Sequence, residues 1–224
     1  MSMIFQKNGK SVAIIGAGPS GLTCGYYLAR QGYTVDIYEE KGVAGGILAY
    51  GIPEYRLPKE ALKKEIDSIV QAGINIIFNT KIGSDITFNE LKSKYNAVYI
   101  ATGTQLSRKI GIEGEEKSGV YHGLDFLRDI NLQKNVEVQG VVAVIGGGST
   151  AIDAARSALR LGAQKVHILY RRTREEMPAD KREIEDAIEE GVILHELVAP
   201  VRFIVNGIPF FLALCLALRY ILIR

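Results

Sequence analysis

Gly16, Gly18 and Gly21 stand in the spacing G-x-G-x-x-G, and Glu39 follows eighteen positions after the last of them. Those residue types in that pattern suit one chemistry, the holding of a dinucleotide by its phosphates and its ribose. Gly16 permits a tight turn, Gly18 lets a pyrophosphate approach the backbone, and Gly21 lets the next helix lie close on its strand. Ala17, Pro19 and Ser20 complete the loop. Pro19 has the fixed φ of a first helical position, and the free N–H groups and positive dipole end of that helix would face the phosphates. A carboxylate at Glu39 can accept both ribose hydroxyls of an adenosine. A second set begins 130 positions after the first: Gly146, Gly147, Gly148, Ser149, Thr150 and Ala151 form G-x-G-x-x-A. At the end of its second strand stand Arg171 and Arg172, where the first set has Glu39. A carboxylate repels a 2′-phosphate, whereas guanidinium groups pair with it. The first loop therefore suits an unphosphorylated ribose and the second suits NADP(H), the alternative for the arginines being a solvated basic turn.

Such loops work only between a strand and a helix, and the chain supplies both. Residues 12–15 are apolar without interruption, as expected of a parallel strand buried on both faces. A helix follows from 19 to 30, then a strand at 33–38 that ends at Glu39. Residues 41–60, KGVAGGILAYGIPEYRLPKE, hold four glycines and two prolines, too broken for a long helix or strand. Glycine lets such a stretch wrap close to a flat ligand; a surface linker is the alternative. From 59 the apolar Leu62, Ile66, Ile69 and Val70 recur at helical spacing, which predicts a buried stripe. Strands follow at 74–78 and 97–101, separated by a short helix that Thr87 and Glu90 open as a capping box. The second loop has its own strand at 141–145, helix at 149–161 and strand at 166–170. Lys181, Arg182, Glu183, Glu185, Glu189 and Glu190 read as the wet face of a further helix. This alternation predicts an α/β fold of two Rossmann-like parallel-sheet units.

Composition narrows the function further. The 224 residues are 47% hydrophobic and carry a formal net charge of +2, which gives no electrostatic argument for nucleic acid or an anionic membrane. The first ten residues lack the pattern of a secretory signal, so a cytoplasmic protein is the default. Cys24 and Cys215 form no metal-ligand spacing, and Cys24 is expected to pack as a small core residue. His122, His167 and His195 have no carboxylate or nucleophile pattern beside them, so no metal and no catalytic histidine is expected. Residues 206–224 form an apolar tail. Its uninterrupted run from 208 to 218 is shorter than the about twenty residues of a membrane-spanning helix, and the polar face of an interfacial helix is missing.

The strings GAGPSGL, GGILAYGIPEYRLPK, ATG, VIGGGSTAIDAARSALRLGA and YRRTREEMPA, in that order, resemble the flavin-containing small subunit of glutamate synthase and its relatives. These are pyridine nucleotide-disulfide oxidoreductase-like proteins and include the corresponding domains of dihydropyrimidine dehydrogenase. The resemblance implies an FAD-binding domain over 10–105 and an NAD(P)H-binding domain over 106–205, both incomplete at their C-terminal ends. FAD would meet Gly16 to Ser20, Glu39, Gly46, Ile47, Arg56, Ile82 near the adenine, and the Gly103 turn. NADPH would meet Gly147 to Thr150 and the Arg171–Arg172 pair. It further implies an oxidoreductase that passes electrons from NADPH through FAD to an iron–sulfur partner subunit. Hydride transfer between such cofactors needs no protein acid or base, so no catalytic side chain is expected. The family pattern stops near Val205. The simplest expectation is a truncated or frame-shifted chain whose apolar tail does not pack on the fold and is dispensable. The alternative to an active enzyme is then a non-catalytic nucleotide-binding remnant of such a flavoprotein.

Overall fold

Strand β1 (Ser11–Ile15) sits between two parallel neighbours, β2 (Thr34–Tyr38) and β4 (Ala97–Ile100), and the first sheet grows from it. The computed structural model describes residues 6–104, 107, 109–203 and 211–214, the last four for their backbone. The chain divides into two compact units, Met1–Gln105 and Leu106–Arg224.

In the first unit the strand order is β3-β2-β1-β4, with β3 at Ile74–Ile77 and every pairing parallel. Side chains alternate across the sheet. Val12 and Ile14 of β1 join Leu22, Ala29, Val35, Ile37 and Ile74 in one apolar layer against helix α1 (Pro19–Arg30). Ala13 points the other way, to Tyr38, Leu91 and Tyr95. Covering both faces is what a parallel sheet requires. Helix α1 lies close because Gly25 has no side chain; a Cβ there would stand 3.1 Å from Ile37 Cδ1. The chain then makes a single helical turn, α2 (Ile47–Tyr50), before α3 (Lys59–Val70). The stripe of Leu62, Ile66, Ile69 and Val70 is only half-buried, a correction to the expected buried face. Its physical reason is position, since α3 packs against α1 and β3, the outer strand of the sheet. Helix α4 (Phe88–Lys94) opens on the expected capping box: Glu90 N–H donates to Thr87 Oγ1 at 3.2 Å and Thr87 N–H donates to Glu90 Oε2 at 2.7 Å. Strand neighbours run both ways from β1, so its C-terminal end faces the point where the order reverses. Open α/β sheets bind ligands in such a crevice.

The second unit repeats the plan with five parallel strands in the order β5-β9-β6-β7-β8. They are β5 (Val120–His122), β6 (Val141–Ile145), β7 (Lys165–Leu169), β8 (Ile193–His195) and β9 (Phe211–Leu214). Helices α5 (Gly123–Asn131), α6 (Ser149–Arg160) and α7 (Lys181–Glu189) supply its main core, where Phe126, Ile152, Ala155, Ile184 and Ala187 meet Val142, Val144, Val166 and Ile168. Strand β9 departs from the expectation of an apolar end standing apart from the fold. Its backbone pairs in parallel with both β5 and β6, because an extended run of four residues completes two ladders at once. The rest of that segment lies outside the described residues, as does Cys215. Glu190 is a third correction. It is not merely a wet residue, since Arg156 and Arg160 of α6 both grip its carboxylate, at 2.7–3.0 Å. Those bonds draw its pKa from 4.5 down to about 2 and tie α6 to the end of α7.

Candidate functional site

The first glycine loop is built by the chain folding tightly on itself. Gly16 has φ +105°, and an added Cβ would stand 2.4 Å from the Ala101 carbonyl oxygen. At Gly21 a Cβ would fall 2.0 Å from the Gly16 carbonyl oxygen, so the α1 backbone touches the turn it follows. Both glycines are demanded by the protein's own packing. Gly18 is not. Its φ of −78° and ψ of −179° suit any residue, and a Cβ would meet nothing nearer than Gly46 Cα at 3.9 Å. Space is therefore open above Gly18, at the N-terminus of α1, where backbone N–H groups lack helical partners.

The wall facing that space comes from the glycine- and proline-rich stretch. Gly45 N–H donates to Ala17 O at 2.8 Å, and Gly46, with φ +56°, lies so near that its own Cβ would come within 2.9 Å of Gly18 Cα. Ile47 begins α2 directly behind it, half-buried. Glu39 is 5% exposed at the end of β2, and its carboxylate accepts N–H bonds from Ala17 at 2.8 Å and Lys41 at 2.9 Å. A carboxylate has about four lone-pair directions, so capacity for ribose hydroxyls remains after these two. Gly103, with φ +67°, follows β4 one residue past Thr102, which borders Gly16. Ile82 packs beside Tyr38 and Leu91, and Arg56 is exposed on the turn where its N–H meets Pro53 O. The structure thus gathers Gly16 to Ser20, Glu39, Gly46 and Ile47 at one strand end. Arg56, Ile82 and Gly103 lie on separate segments: the turn before α3, the stretch after β3 and the stretch past the end of β4.

The second loop has the same construction with a different filling. Gly146 has φ +139° and donates to Leu169 O at 3.1 Å, as Gly16 donates to Tyr38 O at 2.8 Å. Gly148 matches Gly18: its φ is −90°, and a Cβ would meet only Pro178 Cγ, at 4.0 Å. Ser149 and Thr150 open α6 beyond it. Gly147 is fixed by packing, since a Cβ there would stand 2.5 Å from the Tyr170 ring. Strand register identifies that ring's place. Ile15 pairs with Tyr38 and Ile145 with Leu169, so the residue opposite Glu39 in the second unit is Tyr170. It is buried, and its hydroxyl donates to Glu176 O at 2.8 Å. Arg171 and Arg172 come next, one and two residues past the Glu39 position. Arg172 is half exposed, with Glu176 at 3.8 Å.

Tyr170 went unrecognised in the sequence because the count along the chain runs one residue longer in the second unit: Gly21 to Glu39 is eighteen positions and Ala151 to Tyr170 nineteen. Only the ladder reveals the match. His167 and His195 lie on adjoining strands, with Nδ1 of the first 2.9 Å from Nε2 of the second. Burial, then the His195 and Lys165 charges, holds the His167 pKa below its ordinary value. Among the described residues no group of three or more His, Cys, Asp or Glu could hold a metal ion. Cys24 is half-buried beside the α1 core, its thiol pKa raised by burial.

A profile of the family described as pyridine nucleotide-disulphide oxidoreductase matches residues 10–207. The chain belongs to this family. As a pyridine nucleotide-disulphide oxidoreductase chain it is 53% identical over 196 residues to the NADP(+)-dependent formate dehydrogenase subunit beta of Moorella thermoacetica, covering 86% of this chain and 28% of that protein. It is 48% identical over 206 residues to the NADPH-Fe(3+) oxidoreductase subunit beta of Geobacter sulfurreducens, covering 90% and 30%. The glutamate synthase [NADPH] small chain of Escherichia coli is 38% identical over 213 residues, covering 90% and 45%. The chain therefore spans less than half the length of these relatives. Among solved structures it shares its fold with Mycobacterium tuberculosis FprA in complex with NADPH, at a TM-score of 0.75 and 20% identity, covering 88% of this chain and 61% of that one. Lactococcus lactis thioredoxin reductase matches with a TM-score of 0.66 and 22% identity, covering 92% and 77%. Among the described residues no helix of this oxidoreductase chain is long and apolar enough to cross a membrane.

Proposed function

We propose that the first unit binds FAD, the second binds NADP(H), and the chain belongs to an NADPH-dependent flavin oxidoreductase that passes electrons to an iron–sulfur partner subunit. The observation that carries this reading is the pair Gly18 and Gly148. Each has backbone angles open to any residue, and an added Cβ would meet nothing nearer than an ordinary van der Waals contact at 3.9–4.0 Å. The fold itself gives no reason for glycine there; a phosphate approaching the backbone does. The residues fit both cofactors. Glu39 supplies a carboxylate for an unphosphorylated ribose, as in FAD, while Tyr170 removes that carboxylate from the second loop and Arg171 and Arg172 bring cations for a 2′-phosphate.

When bound, the nicotinamide and the flavin supply the hydride chemistry themselves. This chain's residues bind and orient. The N-termini of α1 and α6 present N–H groups to pyrophosphate, Glu39 fixes the adenosine ribose, and the Gly45–Gly46 wall limits the first cradle. The partner half of the proposal draws on relatives named as beta subunits and a small chain, all three with NADP(+) or NADPH in their names. Equilibrium titration of the purified chain tests the assignment. FAD should compete with ADP for one site, and NADPH should bind a second site that FAD leaves free. Competition of FAD and NADPH for a single site would refute the assignment of one cofactor to each unit.

A further inference from the structure

The lobe behind Gly46 is held by a cation that neither glycine loop uses. Lys59 opens α3, and its half-buried ammonium donates to two backbone carbonyls, Leu48 O at 3.1 Å and Ile52 O. Leu48 is the second residue of α2 and Ile52 stands two residues past its end, so the ammonium joins the helix to the turn that leaves it, where carbonyls lack intrahelical partners and a cation complements the dipole. Helix α2 has only four residues, too few to persist by its own hydrogen bonding. The main chain of Lys59 is tied as well: its N–H donates to the Glu54 carboxylate, at 3.1 and 3.2 Å. One residue thus fastens α2 through its side chain and the 54–58 turn through its backbone. Burial pulls the Lys59 pKa below its ordinary value, with the Glu54 charge opposing, so the cation sits there against a desolvation cost.

The far end of α2 is Gly46, the wall of the first cradle, and Gly45 is bonded to the loop at Ala17. A shift of α2 therefore moves that wall. We infer that Lys59 is a positioning residue of the first site: its bonds to the Leu48 and Ile52 carbonyls hold α2 so that the 45–52 lobe fits the nucleotide beyond its adenosine diphosphate half. The inference rests on the reading that the first unit binds FAD. Adenosine diphosphate would meet the lobe at its Gly45–Gly46 edge, which the bond to Ala17 O also holds, and is otherwise reached by the α1 N-terminus and Glu39. Its affinity should therefore respond far less.

The full chain carrying Lys59→Met keeps the apolar stem and loses the charge and donors; Lys59→Arg keeps a cation. Titration with FAD and with ADP, alongside hydrogen exchange at the Gly51 and Ile52 amides, reads both the site and the lobe. Those two amides bond to Ile47 O at 2.8 and 3.0 Å. Lys59→Met should weaken FAD by about tenfold or more, leave ADP within about threefold, and speed exchange at 51 and 52, with Lys59→Arg recovering most of each loss. Unchanged FAD affinity in Lys59→Met, or equal losses of FAD and ADP, overturns the inference. If the unmodified chain binds neither ligand, the reading of the first unit as an FAD site falls instead. Exchange then decides the role of Lys59 alone: unchanged protection at 51 and 52 overturns it, and faster exchange supports its hold on the lobe.

Discussion

Gly18→Ala adds one methyl group at a point where the protein has room for it. The φ of −78° and ψ of −179° are open to alanine, and the nearest atom to the new Cβ is Gly46 Cα at 3.9 Å, an ordinary van der Waals contact. Replacing glycine where alanine fits removes freedom from the unfolded chain and stabilises by about 0.4–1 kcal/mol. For a protein of this size that raises the melting temperature by roughly 1–4 °C. Binding should move the opposite way. The methyl occupies the cradle in which a phosphate would rest on the α1 N–H groups, and loss of one hydrogen bond to a charged group is worth about 1.5–3 kcal/mol. That corresponds to roughly tenfold to a hundredfold in affinity. Gly16→Ala supplies the contrast. With φ +105° and the Ala101 carbonyl oxygen 2.4 Å away, it should cost about 1–3 kcal/mol of stability. Thermal melts and ADP titration of both variants measure the four quantities. Gly18→Ala binding ADP as tightly as the unmodified chain, at equal or higher melting temperature, would refute the claim that ligand and not packing explains that glycine.

Other expectations follow from the second unit. Changing Arg171 and Arg172 together to alanine should lower NADP(H) affinity by roughly tenfold to a hundredfold and leave NAD(H) nearly unchanged, as titration would show; equal affinity for both nucleotides in the unmodified chain would contradict the assignment. Glu190 should impose an acid limit on stability. Its folded pKa lies near 2, below the unfolded 4.5, so its stabilisation is complete above about pH 5 and is lost as pH falls towards 2. The pKa difference corresponds to at most about 3 kcal/mol, which solvent screening of this partly exposed pair reduces to about 1–2 kcal/mol. Urea unfolding of Glu190→Gln should show that much less stability at pH 7 and a flatter acid profile. An unaltered profile would mean that the bonds to Arg156 and Arg160 contribute nothing. Deleting 208–224 removes the strand paired with both β5 and β6 and should lower the melting temperature of the second unit; an unchanged melt would show that strand to be dispensable.

The parts of this fold legible in the sequence were those whose cause is local. The apolar run at 141–145, the helix start at Pro19 and the Thr87–Glu90 box each arise from neighbours within a few positions, and each element appears where its local signal stands. The glycine spacing between an apolar run and a helix start located both loops. What local reasoning could not supply was register. Tyr170 occupies the Glu39 position through the pairing of β6 with β7, and counting along the chain misses it by one residue. The α5 segment, with Leu124, Leu127 and Ile130 at helical spacing, carried a signal that went unread between the two motifs. The grip of Arg156 and Arg160 on Glu190 was invisible for a different reason: it joins residues 34 and 30 positions apart, and charges on a helix give no sign of which neighbour they face.

The two carboxylate bonds of Glu39 have a consequence for how this architecture can change over time. In the first unit the group that would choose the ribose also ties Ala17 to Lys41, so a substitution that alters nucleotide choice also loosens the turn. Selection for folding therefore guards the ligand preference of that unit, whatever happens to activity. In the second unit the Tyr170 ring packs on Gly147, while Arg172 is half exposed beside Glu176. There the labour is divided, and nucleotide preference is free to drift without endangering the fold. Across diverging descendants of such a chain, the first pocket should be the slow clock and the second the fast one.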